Sequence, residues 1–123
     1  YAPDYPCRSV GQPITLDAVA CDLPELELVA SHIGIPWTQE MIAMAWKHPN
    51  IYIASDAHSP KYWPENFVHY INTYGQDKVL FATDFPVLDF SRTMQEIRDL
   101  NLRPNVLPKF LRDNAIRVYK LKT

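Results

Sequence analysis

Three short pairs in this sequence could carry acid–base or metal chemistry. Ser31-His32, Ser55-Asp56 and Thr83-Asp84 each follow a run of mostly apolar residues. Together they offer one imidazole and two carboxylates. These groups ligate divalent cations, and they serve as general bases when their surroundings tune their pKa values. A cation held there would keep a carboxylate ionised and lower the pKa of a bound water to about 7. Each residue also has a plain structural reading. His32 could be a hydrogen-bonded residue at a strand end, and Asp84 the cap of a turn. Asp56 opens the proline-rich loop SDAHSPKYWP, and His58 within it is exposed or substrate-facing. His48 and His69 fall inside predicted helices and read as structural. Trp37, Trp63 and Phe85 follow the strand ends, where they could wall an apolar pocket, or equally pack as core or lid.

The elements that must position these residues alternate along the chain. Residues 1–13 read as loop. Thr15 can cap a short helix through LDAVACDL, which ends before Pro24. LELVASHIG (26–34), NIYIASDA (50–57) and DKVLFATDF (77–85) have the length and apolarity of buried strands. WTQEMIAMAWKH (37–48), PENFVHYINTYG (64–75) and FSRTMQEIRDLNL (90–102) read as helices, with Thr38, Pro64 and Ser91 near their starts. In the first of these, either Met41, Ala45 and His48 or Ile42, Ala45 and Trp46 share a face. PNVLPKFLRDNAIRVYKL (104–121) gives one or two closing helices. Strands apolar throughout, separated by helices, predict a parallel sheet covered on both faces. In such α/β folds the C-terminal strand edge holds the active site, and each of the three pairs falls on it.

Composition narrows the function classes. A net charge of −2 with no basic stripe gives no footprint for nucleic acid. No apolar run reaches the ~18–20 residues of a membrane span. The three glycines, Gly11, Gly34 and Gly75, form no GxGxxG, which argues against a dinucleotide site. Cys7 and Cys21 make neither a disulfide framework nor a zinc motif, and are expected as reduced thiols in a cytoplasmic protein. The opening YAPDYPC has no Met and starts in loop chemistry, as a piece cut from a longer chain, a tag-cleaved protein or a product of processing would.

Four blocks, PELELVASHIGIPW (24–37), HPNIYIASDAHSPKYWP (48–64), DKVLFATDFPV (77–87) and FLRDNAIRVYKL (110–121), resemble in order and spacing the C-terminal part of the amidohydrolase-related family. The resemblance is to the branch that includes aminocarboxymuconate-semialdehyde decarboxylase and the resorcylate-type decarboxylases. It implies a TIM (β/α)8 barrel with a divalent metal, usually zinc, at its C-terminal mouth. It also implies hydrolysis of C–N or C–O bonds, or non-oxidative decarboxylation. On this likeness His32 matches the histidine after the sixth strand, which acts on substrate or as a second-metal ligand. Asp84 matches the aspartate after the eighth strand, a metal ligand that can act as base.

The family's first-strand His-x-His pair and fifth-strand histidine have no counterpart here. A full barrel takes ~250 residues, about twice this chain. Residues 1–123 are therefore expected to be a single partial domain, the parallel βα units of the barrel's C-terminal half. At most two ligands, His32 and Asp84, are expected from the resemblance, too few to complete a site and leaving the piece itself inactive. The implied substrate is a small carboxylate, and Trp37, Trp63 and Phe85 would suit a planar or aromatic one. The alternative is a non-catalytic half-barrel whose open strand edges pair with a second copy or with the missing N-terminal half. A small self-contained α/β binding domain is a third reading.

Overall fold

The computed structural model describes residues 11–123. Cys7 and most of the expected N-terminal loop lie outside them. Helix α1 spans Leu16–Asp22, strand β1 Leu28–Ala30, helix α2 Thr38–Lys47 and strand β2 Ile51–Ala54. Helix α3 spans Glu65–Asn72, strand β3 Val79–Leu80, helix α4 Phe90–Asp99 and helix α5 Asn114–Val118. A π-helical turn, Lys109–Asp113, runs directly into α5.

The sheet is parallel, in the order β1-β2-β3. Leu28, Val29 and Ala30 pair with Ile51, Tyr52 and Ile53, and Ile53 and Ala54 pair with Val79 and Leu80. The expected strand–helix alternation is therefore present. The strands are shorter than the apolar runs suggest, because each run turns over into a tight loop before its polar end.

Helix α2 buries Met41, Ala45 and, just beyond its end, His48, whereas Trp46 is exposed. The spacing of four and three residues puts the first set on one side of the helix. Thr38 is a buried first-turn residue and not a cap. Gly34, in the turn before α2, has φ +74, and a Cβ there would lie 2.5 Å from the Cβ of Met41. Only glycine lets that turn sit against the helix. At α4 the cap is Asp89, two residues before the expected Ser91, and its carboxylate accepts from the Arg92 N–H at 2.9 Å. Thr15 holds the N-cap position of α1, as expected, with its hydroxyl donating back to the Gln12 carbonyl and not accepting from the helix.

Helix α3 turns Phe67, Tyr70 and Ile71 inward, and the core they enter includes Ile51, Ile53, Val79, Ile97, Val106 and Phe110. Two asparagines tie loops to it. The Asn50 amide donates to the carbonyls of Ala20, Leu23 and Leu26, fixing α1 and its following turn to the start of β2. Asn114, fully buried, donates to Gln76 and Val79 at 2.8 and 2.9 Å, fixing α5 to the start of β3. The π turn contributes as well: the Phe110 carbonyl accepts from the Phe81 N–H at 3.1 Å, just past the end of β3. β1 is apolar yet only half-buried at all three residues.

Candidate functional site

The strand-end geometry begins with backbone twist. His32, Ile33, Ala57 and Asp84 all have positive φ, at 59°, 46°, 66° and 58°. Non-glycine residues adopt this left-handed conformation at a cost, and such residues collect at functional sites. A left-handed residue lies two, three and four positions beyond the ends of β1, β2 and β3, and two of the site residues, His32 and Asp84, themselves adopt that conformation while Asp56 directly precedes Ala57. Ser55 fastens two of these exits together. Its Oγ accepts from the Ala82 N–H at 3.2 Å, so the ends of β2 and β3 are joined beyond the last ladder bond.

His32, Asp56 and Asp84 converge at this edge. His32 Nε2 lies 3.3 Å from Asp56 Oδ2 and 4.0 Å from Asp84 Oδ2. The other Asp56 oxygen, Oδ1, accepts from the His32 backbone N–H at 2.8 Å. One nitrogen and two carboxylate oxygens thus lie within 4.8 Å of one another. Asp56 is buried, His32 half-buried and Asp84 open to solvent, so the cluster has a closed floor and an accessible side.

His58 backs the cluster. Its ring meets that of His32 edge-on at 6.2 Å between centroids. Its Nε2 is buried without a hydrogen-bond partner among the described residues. Burial pushes the His58 imidazole down from its ordinary pKa, and His32 adds to this while Asp56 opposes it. Burial thus favours the neutral form of the His58 ring. The N, O and O donors, with this orphaned nitrogen behind them, suit a zinc-like divalent cation.

The aromatic residues fall differently. Trp63 is a core residue, edge-on to both Phe67 and Phe110, with 7% of its surface exposed. Its indole N–H donates to the His58 carbonyl at 2.8 Å, so it anchors the His58 loop from below instead of lining an open wall. Trp37 is half-buried on a shallow groove with Pro36, Gln39 and Ala43, beside the start of α2. Phe85, beside Asp84, is 76% exposed. It stands at the open side of the cluster, and Trp37 and Trp63 do not join it there.

Asp56 is the strand-end carboxylate that the sequence offered but the family resemblance left without a role. Its surroundings, SDAHSP, read as the start of a loop. The available signal was positional: Ser55-Asp56 and Thr83-Asp84 are the same small-polar-then-acid pair at the same point of two parallel strands.

A family model described as Amidohydrolase matches residues 5–121. Among solved structures, an uncharacterized TIM-barrel protein from Bordetella bronchiseptica superposes with a TM-score of 0.86 at 29% identity, over 97% of this chain and 43% of that one. An amidohydrolase from Burkholderia multivorans, solved with bound zinc, superposes at 0.68 with 13% identity over 90% of this chain and 50% of that one. Amidohydrolase 2 from Bifidobacterium longum subsp. infantis gives 0.68 and 24% over 90% and 47%. A search of curated proteins gave no match. The chain thus spans about half the length of these barrels, and its three parallel βα units are those of a partial TIM barrel.

Proposed function

The chain belongs to the amidohydrolase family, and we propose that it carries part of a divalent-cation site for hydrolysis or non-oxidative decarboxylation of a small carboxylate substrate. The observation that carries this reading is the convergence of His32, Asp56 and Asp84 within 4.8 Å at the C-terminal strand edge. The zinc in the Burkholderia multivorans amidohydrolase supports zinc as the ion. The block resemblance supports the branch that includes aminocarboxymuconate-semialdehyde decarboxylase.

Asp84, the exposed carboxylate, and Asp56, the buried one, would hold the cation, and His32 would stand beside it with its imidazole free to meet substrate. The cation supplies Lewis-acid polarisation of a substrate oxygen and a more acidic water. The rest is done by the chain's own side chains. In a hydrolysis, Asp84 is open to solvent and accepts a proton from the attacking water. His32 faces the same space and binds the substrate oxygen on which charge develops. Asp56 orients His32 through both the backbone and the ring. In a decarboxylation the same His32 delivers a proton to the carbon that loses carboxylate. Phe85 offers a flat apolar face to a planar substrate, with Trp37 further along the surface.

The half-buried apolar strand β1 has no strand on its outer side among the described residues. A complementary half-barrel or a second copy would cover it and would bring further ligands. We propose a cytoplasmic location from the expectation of reduced cysteines alone; among the described residues no helix is long and apolar enough to cross a membrane.

The test compares Asp84→Ala with His32→Ala in the closed barrel, by bound metal and turnover. This reading expects Asp84→Ala to lose metal, and His32→Ala to lose turnover more than metal. Unchanged metal in Asp84→Ala would refute it.

A further inference from the structure

A second group of donors lies at the opposite end of β2. Asp17 and Cys21 are four residues apart on α1, and so share one face of the helix. His48 follows α2, with its side chain only 7% exposed. His48 Nε2 lies 2.6 Å from Asp17 Oδ1, and the Cys21 thiol, free and solvent-facing, falls within 4.8 Å of both. The four residues of β2 separate His48 from Asp56, so the two groups lie at different ends of the sheet.

We propose that Asp17, Cys21 and His48 form a separate binding site for a thiophilic divalent cation such as zinc(II). One oxygen, one sulfur and one nitrogen donor select a borderline or soft metal over magnesium or calcium. Three protein ligands leave the fourth tetrahedral position open to water. The site is half preformed, because Asn50 holds the end of α1 against the start of β2. Lys47 is its resident competitor: the ammonium donates to Asp17 Oδ1 at 2.7 Å and keeps the carboxylate ionised. Its side chain is more than half exposed, so it can swing into solvent when a cation takes its place. Binding would release the Cys21 thiol proton to water.

The bland reading of the same contacts is an Asp17–His48–Lys47 ion-pair cluster joining α1 to α2, with the thiol a bystander. Two variants separate the readings. The probe is cobalt(II) alone, titrated into the chain carrying Asp84→Asn, which silences the strand-end cluster. The proposal expects one bound equivalent with a thiolate-to-cobalt charge-transfer band. Cys21→Ser, an exposed near-isosteric change, should abolish the band, and Cys7→Ser should keep it. Lys47→Ala should tighten binding severalfold by removing the competing charge. Absence of the band, its survival in Cys21→Ser, its loss in Cys7→Ser, or weaker binding in Lys47→Ala would each overturn the proposal.

Discussion

Asp56 holds His32 by two separate contacts, one to its backbone and one to its ring. Oδ1 accepts from the His32 N–H at 2.8 Å, and Oδ2 lies 3.3 Å from Nε2. A single buried carboxylate thus fixes both the left-handed turn on which the histidine sits and the direction of its imidazole. The turn carries strain, and the carboxylate offsets it with a charge-assisted bond.

Removing that carboxylate should loosen the turn. Asp56→Ala leaves a part-buried N–H without its acceptor, and is expected to cost about 1–3 kcal/mol. Asp56→Asn keeps an acceptor and should cost less. Urea unfolding of both variants measures the difference. Equal stability of Asp56→Ala and the parent chain would mean that the contact does not hold the turn.

Ala57 has φ 66° and no side chain that could compensate. Left-handed geometry costs a non-glycine residue roughly 1–2 kcal/mol, against about 0.5–1 kcal/mol of extra backbone entropy for glycine. Ala57→Gly should therefore stabilise the chain slightly, by about 0.5–1 kcal/mol. A lower thermal midpoint would show that the turn is held elsewhere.

Asn114 is the opposite case. It is fully buried, and its amide serves two carbonyls, those of Gln76 and Val79. Asn114→Ala strands both acceptors and should cost about 2–3 kcal/mol. Asn114→Asp keeps the shape but offers no donor, so it should not rescue. A denaturant midpoint at the parent value for either variant would contradict this.

Lys78 sets an alkaline dependence. Its ammonium donates to the carbonyls of His48 and Pro49 and lies 4.6 Å from the centre of the Tyr52 ring. Burial nevertheless pushes its pKa down to about 8, with Glu27 opposing the shift. Between that value and the ordinary Lys value of about 10.4 the unfolded chain binds a proton that the folded chain does not. Stability from this group therefore rises with pH through that window, and the penalty is fully present below it. Lys78→Met lacks this contribution. The stability of the parent chain relative to Lys78→Met should rise between pH 8 and 10 (thermal melts at matched ionic strength). A flat or falling difference would contradict the assignment.

Much of the fold was legible because its signals are local and repeated. Three apolar runs separated by amphipathic helices predicted the parallel sheet, while helical spacing left two candidate faces for α2, and the structure buries Met41, Ala45 and His48 and exposes Trp46 of the other set. The helix caps were less legible. Asp89 caps α4 where Ser91 was expected, because several residues in that stretch can accept a backbone bond and only the entry angle of the chain decides. Trp63 lies in the core because the loop after Asp56 folds back through a short turn, Pro60–Tyr62, that no periodicity announces. The site was half legible. His32 and Asp84 were visible from the strand pattern and the family resemblance. Asp56 was visible from the same strand pattern, but without a counterpart in the resemblance it read as the start of a loop, and its two contacts with His32 place it in the cluster.

The central claim is that His32, Asp56 and Asp84 form one cation site, and bound metal tests it most directly. In the closed barrel, the chain carrying Cys21→Ser, which removes the thiol at the other end of the sheet, is loaded with zinc, desalted and measured for metal per chain. Light scattering reports its mass in parallel. Close to one zinc per chain, lost in Asp84→Asn and reduced in Asp56→Asn, is the predicted result. Zinc that stays at the same level in Asp84→Asn, or no zinc in the starting protein, would contradict the claim.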